Sequence, residues 1–203
     1  DLYNTMDAAG ATFFGCCYCR RSPNKISEKE THMLEGKILS ALNDQLNAEF
    51  FSAYQYLAIS AYFEDKGLKG FAHWMRMQYE EELIHASKIF DYINNRDGRV
   101  ILQAIGEPVP ELDSPVAAFE FALQCERNLS EKIYHIVDLS LAAHDHGTHA
   151  FLQWFVNEQV EEEAMVRDIV QNLEMVMESR DGLFLMDRDL AQRQAEVGGQ
   201  AIE

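Results

Sequence analysis

The stretch FLQWFVNEQVEEEAMVRDIVQNLEMV, residues 151–176, decides the fold of this chain. One set of its side chains recurs at alternating steps of three and four: Leu152, Phe155, Gln159, Glu162, Val166, Ile169, Leu173 and Val176. That spacing places them on one face of an α-helix, as at the seam of a helical bundle. We therefore predict a long bundle helix whose apolar face carries the polar Gln159 and Glu162 at its middle.

The same period occurs in three stretches upstream, so the fold is predicted to be all-α, with four long helices in one bundle. The seam positions are Leu39, Leu42, Leu46, Glu49, Ala53, Tyr56, Ser60 and Phe63 in the first; Phe71, Met75, Gln78, Glu82, His85, Ile89 and Tyr92 in the second; and Phe119, Ala122, Glu126, Leu129, Ile133, Ile136 and Ser140 in the third.

Helix-ending and helix-starting residues separate these stretches. Residues 66–67 are predicted to end the first helix and residues 96–98 the second, because a glycine commonly follows a helix. The Ser-Pro pair at 114–115 is predicted to begin the third. Residues 146–148 are predicted to separate the third helix from the fourth, and residues 181–182 to end the fourth before a short apolar segment, residues 183–190.

Connection lengths predict the topology. The first and third connections are short, so the helices that they join should run antiparallel. The middle connection, residues 97–113, is long, and an extended segment of roughly 17 residues can reach roughly 55 Å. A helix of about 28 residues is only about 42 Å long. The middle connection can therefore cross the whole bundle and let the second and third helices run parallel.

Composition narrows the class of partner. The chain has 203 residues and a formal net charge of −17. Phosphate backbones and anionic membrane surfaces would be repelled, whereas metal cations or basic partners would be attracted. No stretch approaches the roughly 20 apolar residues of a membrane-spanning helix. We expect neither a nucleic acid nor a membrane as the partner.

Residues 1–32 differ from the rest of the chain and show no helical period. Three origins suit this extension: a processed targeting remnant, upstream read-through, or a segment added for expression. Met33 would be a natural start for the body, residues 33–203. Its three cysteines could bind zinc or an Fe–S cluster; they are Cys16, Cys17 and Cys19. A second cysteine pair is missing, however, and the alternative is that the segment is a flexible tail.

The cysteine pattern also bears on location. Three of the four cysteines are crowded into the extension, and Cys125 lies alone in the body. A disulfide-stapled secreted scaffold would spread its cysteines through the fold. We therefore expect a reducing compartment and a cytoplasmic location, or another compartment if the extension is a targeting remnant.

Polar side chains occupy seam positions where a bundle needs apolar ones. They are Glu49, Glu82, His85, Glu126, Gln159 and Glu162, each near the middle of its helix. Taken singly, each has an ordinary explanation, such as a hydrogen-bonded core histidine or a solvated charge run. Together they place carboxylates from all four helices in the core, with no Lys or Arg on any seam to balance them. Buried carboxylates need counter-charges, and two divalent cations would supply them.

The residue types limit the choice of metal. Several oxygens and one imidazole, without a thiolate, suit iron, manganese or zinc. Glu82 can bridge both ions, since it shares a seam with His85 and faces the other carboxylates. Tyr56 lies two turns beyond Glu49 on the same seam, where its hydroxyl either meets the site or simply packs in the core.

These motifs make the sequence resemble a ferritin, specifically the haem-free bacterial type. The resemblance covers about residues 34–194. It rests on residues 46–49 (LNAE), residues 81–85 (EELIH), Glu126 and residues 151–163 (FLQWFVNEQVEEE).

The resemblance implies a ligand set. Glu49, Glu82 and His85 would hold a first iron, and Glu82, Glu126 and Glu162 a second. Further expected site residues are Gln159 beside the pair, Tyr56 as the family's site tyrosine, Trp154 as its neighbouring tryptophan, and Glu81, Glu158, Glu161 and Glu162 as a third iron site.

The resemblance also implies a fold and a function. The fold would be a ferritin-like four-helix bundle with a long crossover between the second and third helices and a short fifth helix over about residues 183–193. Subunits would close into a shell of twenty-four copies. In it a ferroxidase would oxidise Fe(II) with dioxygen and store a ferric oxide mineral.

Departures from related families favour the haem-free type. Leu83 stands where bacterioferritin has its haem methionine, and residues 158–161 lack the histidine of a second Glu-x-x-His motif. No Cys-x-x-Cys iron domain of the rubrerythrin kind follows Glu162. Residues His144, His146 and His149 lie where ferritins approach their threefold channels, and either line an ion entry or form an exposed turn.

Two other functions use the same residues. A peroxide-detoxifying di-iron protein would employ the same ligands without storing mineral. A shell or partner-binding subunit would bind structural metal at the carboxylates and show no oxidase activity.

Overall fold

The computed structural model describes residues 34, 36–109 and 112–194. It contains α1 Gly36–Asp65, α2 Lys69–Asn95, α3 Pro115–Ala142, α4 His146–Val176 and α5 Arg180–Leu190. No strand occurs in these residues, so the all-α prediction is confirmed. The predictions for the extension, including those for Cys16, Cys17 and Cys19, lie outside the described residues.

Side-chain caps explain where the helices begin. Ser114 accepts a hydrogen bond from the Ala117 amide and begins α3, as predicted. Asp145 accepts one from the Thr148 amide, so α4 already begins at His146. The prediction that residues 146–148 separate two helices was wrong, because the aspartate before them caps the helix that they start.

The end of α4 was also misplaced. The helix ends at Val176, and Ser179 caps the next helix by accepting a hydrogen bond from the Gly182 amide at 3.0 Å. Residues 181–182 therefore lie in the first turn of α5 and do not end α4. At this position the capping side chain of Ser179 starts a helix, and the glycine lies inside that helix.

The long connection crosses the bundle along α1. The Ile101 amide donates to Asn43 Oδ1 at 2.6 Å, and the Val109 amide donates to Gln55 Oε1 at 2.8 Å. These two anchor residues of α1 are about 18 Å apart at 1.5 Å per residue. The crossover brings the start of α3 to the end of the bundle where α2 also starts, so α2 and α3 run parallel.

Two apolar clusters fill the bundle, one toward each end. Cluster I comprises Tyr56, Ile59, Phe63, Phe71, Ala72, Trp74, Met75, Ala118, Phe119, Ala122, Leu123, Val166, Ile169, Val170 and Leu173. Cluster II comprises Leu34, Ile38, Leu42, Leu46, Ala86, Ile89, Ile93, Ile133, Ile136, Leu152 and Phe155. On each of the four long helices, the carboxylates, His85 and Gln159 of the seam fall between the two clusters, so the sequence pattern becomes a polar layer within a buried core.

The short helix α5 packs against the start of α2. Leu68, the residue before α2, makes no side-chain cap. Asp187 of α5 takes that role, since its Oδ1 accepts from the amides of Gly70 at 2.8 Å and Phe71 at 3.1 Å. A Cβ atom on Gly70 would lie 1.5 Å from the Asp187 carbonyl oxygen, so this close approach requires glycine. The contact directs the chain after α5 along α2.

None of the helices in the described ranges combines the length and the apolar character needed to cross a lipid bilayer.

Candidate metal centre

The polar seam residues meet as one central polar layer. Its members are Glu49 from α1, Glu82 and His85 from α2, Glu126 from α3, and Gln159 and Glu162 from α4. None has more than 3% of its surface exposed. Because the helices are regular and the positions lie at matching depths, four separate seams deliver their polar groups to one place.

Within this layer, the possible ligand atoms form two groups of cation-binding size. One oxygen or nitrogen from each of Glu49, Glu82 and His85 lies within 4.8 Å of the others, and the same holds for Glu82, Glu126 and Glu162. Glu82 belongs to both groups. The two sets match the division that the resemblance implies for two neighbouring ions.

The His85 imidazole belongs to the first group and also approaches Glu162 of the second. Its Nδ1 is 3.4 Å from Glu82 Oε2, and its Nε2 is 4.0 Å from Glu162 Oε1. Trp154 and Phe155 of α4 face the ring edge-on, with centroids 5.4 Å and 6.0 Å away. These aromatic walls limit how the imidazole can turn. Trp154 thus stands beside the site, as expected.

Two polar side chains of α1 hold Glu49 and Glu82 in place by hydrogen bonds. Ser52 Oγ donates to Glu82 Oε1 at 2.8 Å, and Gln45 Nε2 donates to Glu49 Oε1 at 2.7 Å. Glu49 Oε2 and Glu82 Oε2 are buried and have no hydrogen-bond partner. Each carboxylate therefore has one oxygen fixed by the protein and the other left for a ligand.

A second pair of contacts orients the α3 carboxylate. The Tyr56 hydroxyl donates to Glu126 Oε1, and Gln159 Nε2 lies 3.2 Å from Glu126 Oε2. Tyr56 and Gln159 therefore both touch a candidate ligand. Glu162 Oε2 has no hydrogen-bond partner, and neither does His85 Nδ1.

Burial and mutual repulsion change the acidity of these groups. Burial raises the pKa of Glu49, Glu82 and Glu162 well above the ordinary value, and the neighbouring carboxylates raise it further. Glu126 is the largest such neighbour for both Glu82 and Glu162. Without cations these three carboxyl groups therefore keep their protons to a higher pH than free carboxyl groups do, and binding of cations would release protons.

The donor set fits borderline and hard divalent cations. It offers carboxylate oxygens, one imidazole and one amide, a combination that suits iron, manganese or zinc. Cys125 lies next to Glu126, but burial, followed by the charges of Glu126 and Glu82, raises its thiol pKa to about 12. A thiol of that acidity stays protonated at neutral pH, so a thiolate ligand is not expected from this cysteine.

A groove of about 1250 Å³ between α1 and α3 approaches the polar layer from outside. Gln45 and Ser52, the residues that hold Glu49 and Glu82, are among those that line it, together with Cys125. The groove therefore reaches the α1 side chains that hold two of the carboxylates.

Three of the residues expected at a third iron site do not form a group like those of the central polar layer. Glu81 is 6% exposed and forms an ion pair with Arg193, whose Nη2 lies 2.5 Å from Glu81 Oε2. Glu158 is half-buried and Glu161 is exposed. Among residues 34, 36–109 and 112–194, the groups able to hold a cation include none of Glu81, Glu158 and Glu161. The third site stays a prediction.

The histidines near the start of α4 also stay a prediction. His144 adopts a left-handed conformation with φ of 55°, in the turn before the helix. His146 is the first residue of α4 and is exposed, and His149 is half-buried with no hydrogen-bond partner for Nδ1. In the described part of the chain, none of them joins a group that could hold a metal.

Several site residues were not apparent from the seam pattern. Gln45 and Ser52 lie off the seam, although their spacing of four and three residues from Glu49 places them on the same side of α1. Arg193 has no local signal at all, because its partner is 112 residues away. Gln78, a seam residue given no role, is fully buried one turn before Glu82, and its amide has no hydrogen-bond partner.

Comparison with known proteins agrees with the geometry. The profile described as Ferritin-like domain matches residues 39–176. The bacterial non-heme ferritin of Staphylococcus saprophyticus is 38% identical over 161 residues, which is 79% of this chain and 96% of that protein. The bacterial non-heme ferritin of Staphylococcus aureus strain MRSA252 is 34% identical, with 79% and 97% covered.

Solved structures give the same picture. The open-pore ferritin of the hyperthermophilic archaeon Archaeoglobus fulgidus is 47% identical, with a TM-score of 0.79, and the match covers 79% of this chain and 99% of that one. An engineered closed form of the A. fulgidus ferritin is also 47% identical, with a TM-score of 0.78 and coverage of 79% and 98%. The predicted resemblance and the predicted bundle fold are both confirmed.

Proposed function

This chain belongs to the ferritin family, and on that premise we propose that it oxidises Fe(II) with dioxygen at the central polar layer and stores the ferric product as a mineral. The family's general role is iron storage with ferroxidase function. The proposal adds the oxidant, the fate of the product and the residues that act. It also adds a closed shell of twenty-four copies in the cytoplasm.

The observation that carries the proposal is the set of buried ligand atoms without partners. Glu49, Glu82 and Glu162 each bury one oxygen that has no hydrogen-bond partner, and His85 Nδ1 is likewise buried without one. Such groups cost several kcal/mol when unpaired, so a fold keeps them only for a bound cation or a proton. Two adjoining groups that share Glu82 give room for two Fe(II) side by side.

Two neighbouring Fe(II) ions suit the oxidation chemically. Each Fe(II) gives up one electron, so a pair can deliver two electrons to one dioxygen molecule, and two protons complete the reduction to hydrogen peroxide. Ser52, Gln45, Tyr56 and Gln159 would keep the ligands in position for both ions. We assign the metal ligands as Glu49, Glu82, His85, Glu126 and Glu162, with Gln159 and Tyr56 as residues that position Glu126.

The test is oxygen consumption after addition of Fe(II) to purified apo protein. We expect rapid oxygen uptake and a rise in amber absorbance, with two Fe(II) per subunit oxidised in the fast phase. Glu82→Ala and His85→Ala should each slow that phase by more than about 100-fold, beyond the effect of losing an outer-shell partner. Glu174→Ala, an exposed acid on the same helix as Glu162, serves as the control with unchanged kinetics.

The competing functions predict different outcomes. If hydrogen peroxide oxidises Fe(II) much faster than dioxygen and little iron is retained, the chain is a peroxide-detoxifying protein instead. If Fe(II) is oxidised no faster than in buffer, the carboxylates hold structural metal only. The shell is tested by native mass, which should be twenty-four times the subunit mass of 23.3 kDa.

A further inference from the structure

Two adjacent acids of α2 are neutralised in different ways. Glu82 faces other carboxylates in the central polar layer and belongs to both of the groups that could hold a cation there. Glu81 faces the guanidinium of Arg193, with Nη2 2.5 Å from Oε2 and only 12% and 7% of the two side chains exposed. One acid therefore depends on a cation from outside, and the other has a cation that the chain itself supplies.

Arg193 is held against α2 at several points. Its guanidinium carbon lies 4.3 Å from the centre of the Trp74 ring, a stacking contact that favours a cation. Its carbonyl oxygen is 2.8 Å from His73 Nε2. Six residues earlier, Asp187 binds the first amides of α2. The segment after α5 is thus fastened along α2, and its charge arrives at Glu81 already oriented.

An arginine in this place opposes the binding of a metal ion. Its guanidinium occupies the Glu81 oxygen that would coordinate an incoming ion. A divalent ion at Glu81 would also meet a like charge at close range in a partly dry environment. To bind there, the ion must first displace the Arg193 side chain from both Glu81 and Trp74.

We propose that Arg193 acts as a tethered cation that closes Glu81 to metal and so limits the centre to two ions. In the parent protein, a further ion binds at Glu81 only when the Arg193 side chain has left that carboxylate. This inference rests on the proposed metal centre, but concerns how many ions it takes and not whether it oxidises iron. Arg193 is thereby a specificity-determining residue that acts through Glu81.

The test counts tight Mn(II) sites per subunit in the full-length assembled protein. Mn(II) prefers oxygen ligands, so the cysteines of residues 1–32 interfere little. Free Mn(II) is measured by electron paramagnetic resonance at about physiological ionic strength, where exposed acids are screened. Arg193→Gln removes the charge, and Arg193→Met keeps an unbranched side chain to pack on Trp74. Both should bind one Mn(II) more per subunit than the parent protein.

Matched variants separate this effect from a general change in charge. Arg188→Gln removes an arginine from α5 that is 65% exposed and pairs with Asp189, so its count should equal that of the parent protein. Arg193→Lys keeps a positive charge and should also leave the count unchanged. The double variant Arg193→Gln with Glu81→Gln should lose the extra ion, which would locate it at Glu81.

Three results would overturn the inference. These are a count unchanged in both Arg193→Gln and Arg193→Met, an equal gain in Arg188→Gln, and a gain that persists without the Glu81 carboxylate. Failure of the proposed function looks different, because the parent protein would then lack the two Mn(II) that Glu82→Ala removes and would not oxidise Fe(II).

Discussion

The central polar layer and the junction between α2 and α4 are both polar, but only the junction satisfies its own charges. At the junction, Arg96 Nη2 lies 3.1 Å from Asp145 Oδ2, and Thr148 donates to both Asp145 oxygens, from its amide at 3.0 Å and its hydroxyl at 2.7 Å. In the central layer, Glu82 and Glu162 face further carboxylates, and each retains an oxygen without a partner.

The pKa values of the carboxyl groups are shifted in opposite directions in the two regions. Burial raises the pKa of Asp145, but hydrogen bonds from Thr148 and Arg96 outweigh it, and the pKa lies below its ordinary value. Burial and neighbouring acids raise the pKa of Glu82 and Glu162 well above theirs. The ionised Asp145 at the junction therefore stabilises the fold. In the central layer, by contrast, the carboxyl groups favour bound protons or cations. This difference distinguishes a polar region that stabilises the fold from one whose side chains could hold cations.

The largest effect that we expect is stabilisation of the central layer by metal. Saturation with Mn(II) at about 1,000 times the dissociation constant should raise the free energy of unfolding by about 4 kcal/mol. Without metal, the raised pKa values of Glu49, Glu82 and Glu162 give stability that is complete below the ordinary value of 4.5 and is lost as pH rises through the folded-state values. Thermal unfolding between pH 5 and about pH 8, with chelator and with Mn(II), measures both effects.

Glu82→Ala is the control for this prediction. It removes the ligand that both groups share, so Mn(II) should hardly change its unfolding temperature. A parent protein whose metal-free stability increased across that pH range would contradict our account of the layer.

The stability that the junction contributes should depend on pH in the opposite direction from that of the central layer. Asp145→Ala removes the cap of α4 and the carboxylate that faces Arg96, and we expect a loss of about 2 kcal/mol. Asp145→Asn keeps an oxygen for the Thr148 amide and should lose about half as much. Because the folded-state pKa of Asp145 is lowered, its contribution is present above the ordinary value of 3.8 and is lost as pH falls. Urea unfolding at neutral and acidic pH measures it, and metal should leave these losses unchanged.

The seams were predictable because burial repeats with the period of the helix. Of the predicted seam residues, only Leu39, Tyr92 and Val176 are partly exposed. The central layer was predictable for the same reason, since a charge such as Glu82 on an apolar face is visible in one sequence. Its neighbours Gln45 and Ser52 are ordinary polar residues in sequence, and only the packing of α1 shows that they touch ligands.

Contacts between distant segments could not be predicted in this way. Arg193 meets Glu81, and Asp187 meets Gly70, across more than a hundred residues with no periodic signal. The starts of α4 and α5 were misplaced because glycine was taken as a helix end, whereas the side chains of Asp145 and Ser179 cap the helices that follow them.

A smaller effect should separate two serines of α1. Ser52 donates to Glu82 Oε1 and Ser60 donates to the Ala72 carbonyl, both at 2.8 Å, and both are buried. Ser52→Ala frees a candidate ligand and should weaken Mn(II) binding by about 10- to 100-fold, or about 1.4 to 2.7 kcal/mol. Ser60→Ala removes a comparable hydrogen bond elsewhere on α1 and should leave the affinity unchanged. Equal effects on Mn(II) affinity would mean that Ser52 does not position Glu82.

The smallest effect that we expect tests whether removing a carboxylate from the central polar layer stabilises the metal-free protein. Glu162→Gln replaces a repelled carboxylate by a neutral amide of the same shape, so the metal-free protein should become more stable by about 1 kcal/mol near pH 8. With Mn(II) present the order should reverse, because the variant lacks a ligand of the second group. Glu174→Gln, an exposed change on the same helix, should shift neither value. A charged residue whose removal stabilises the metal-free protein and destabilises the metal-bound protein serves ion binding and not folding. If Glu162→Gln were less stable than the parent protein both with and without Mn(II), Glu162 would instead have a structural role like that of Asp145.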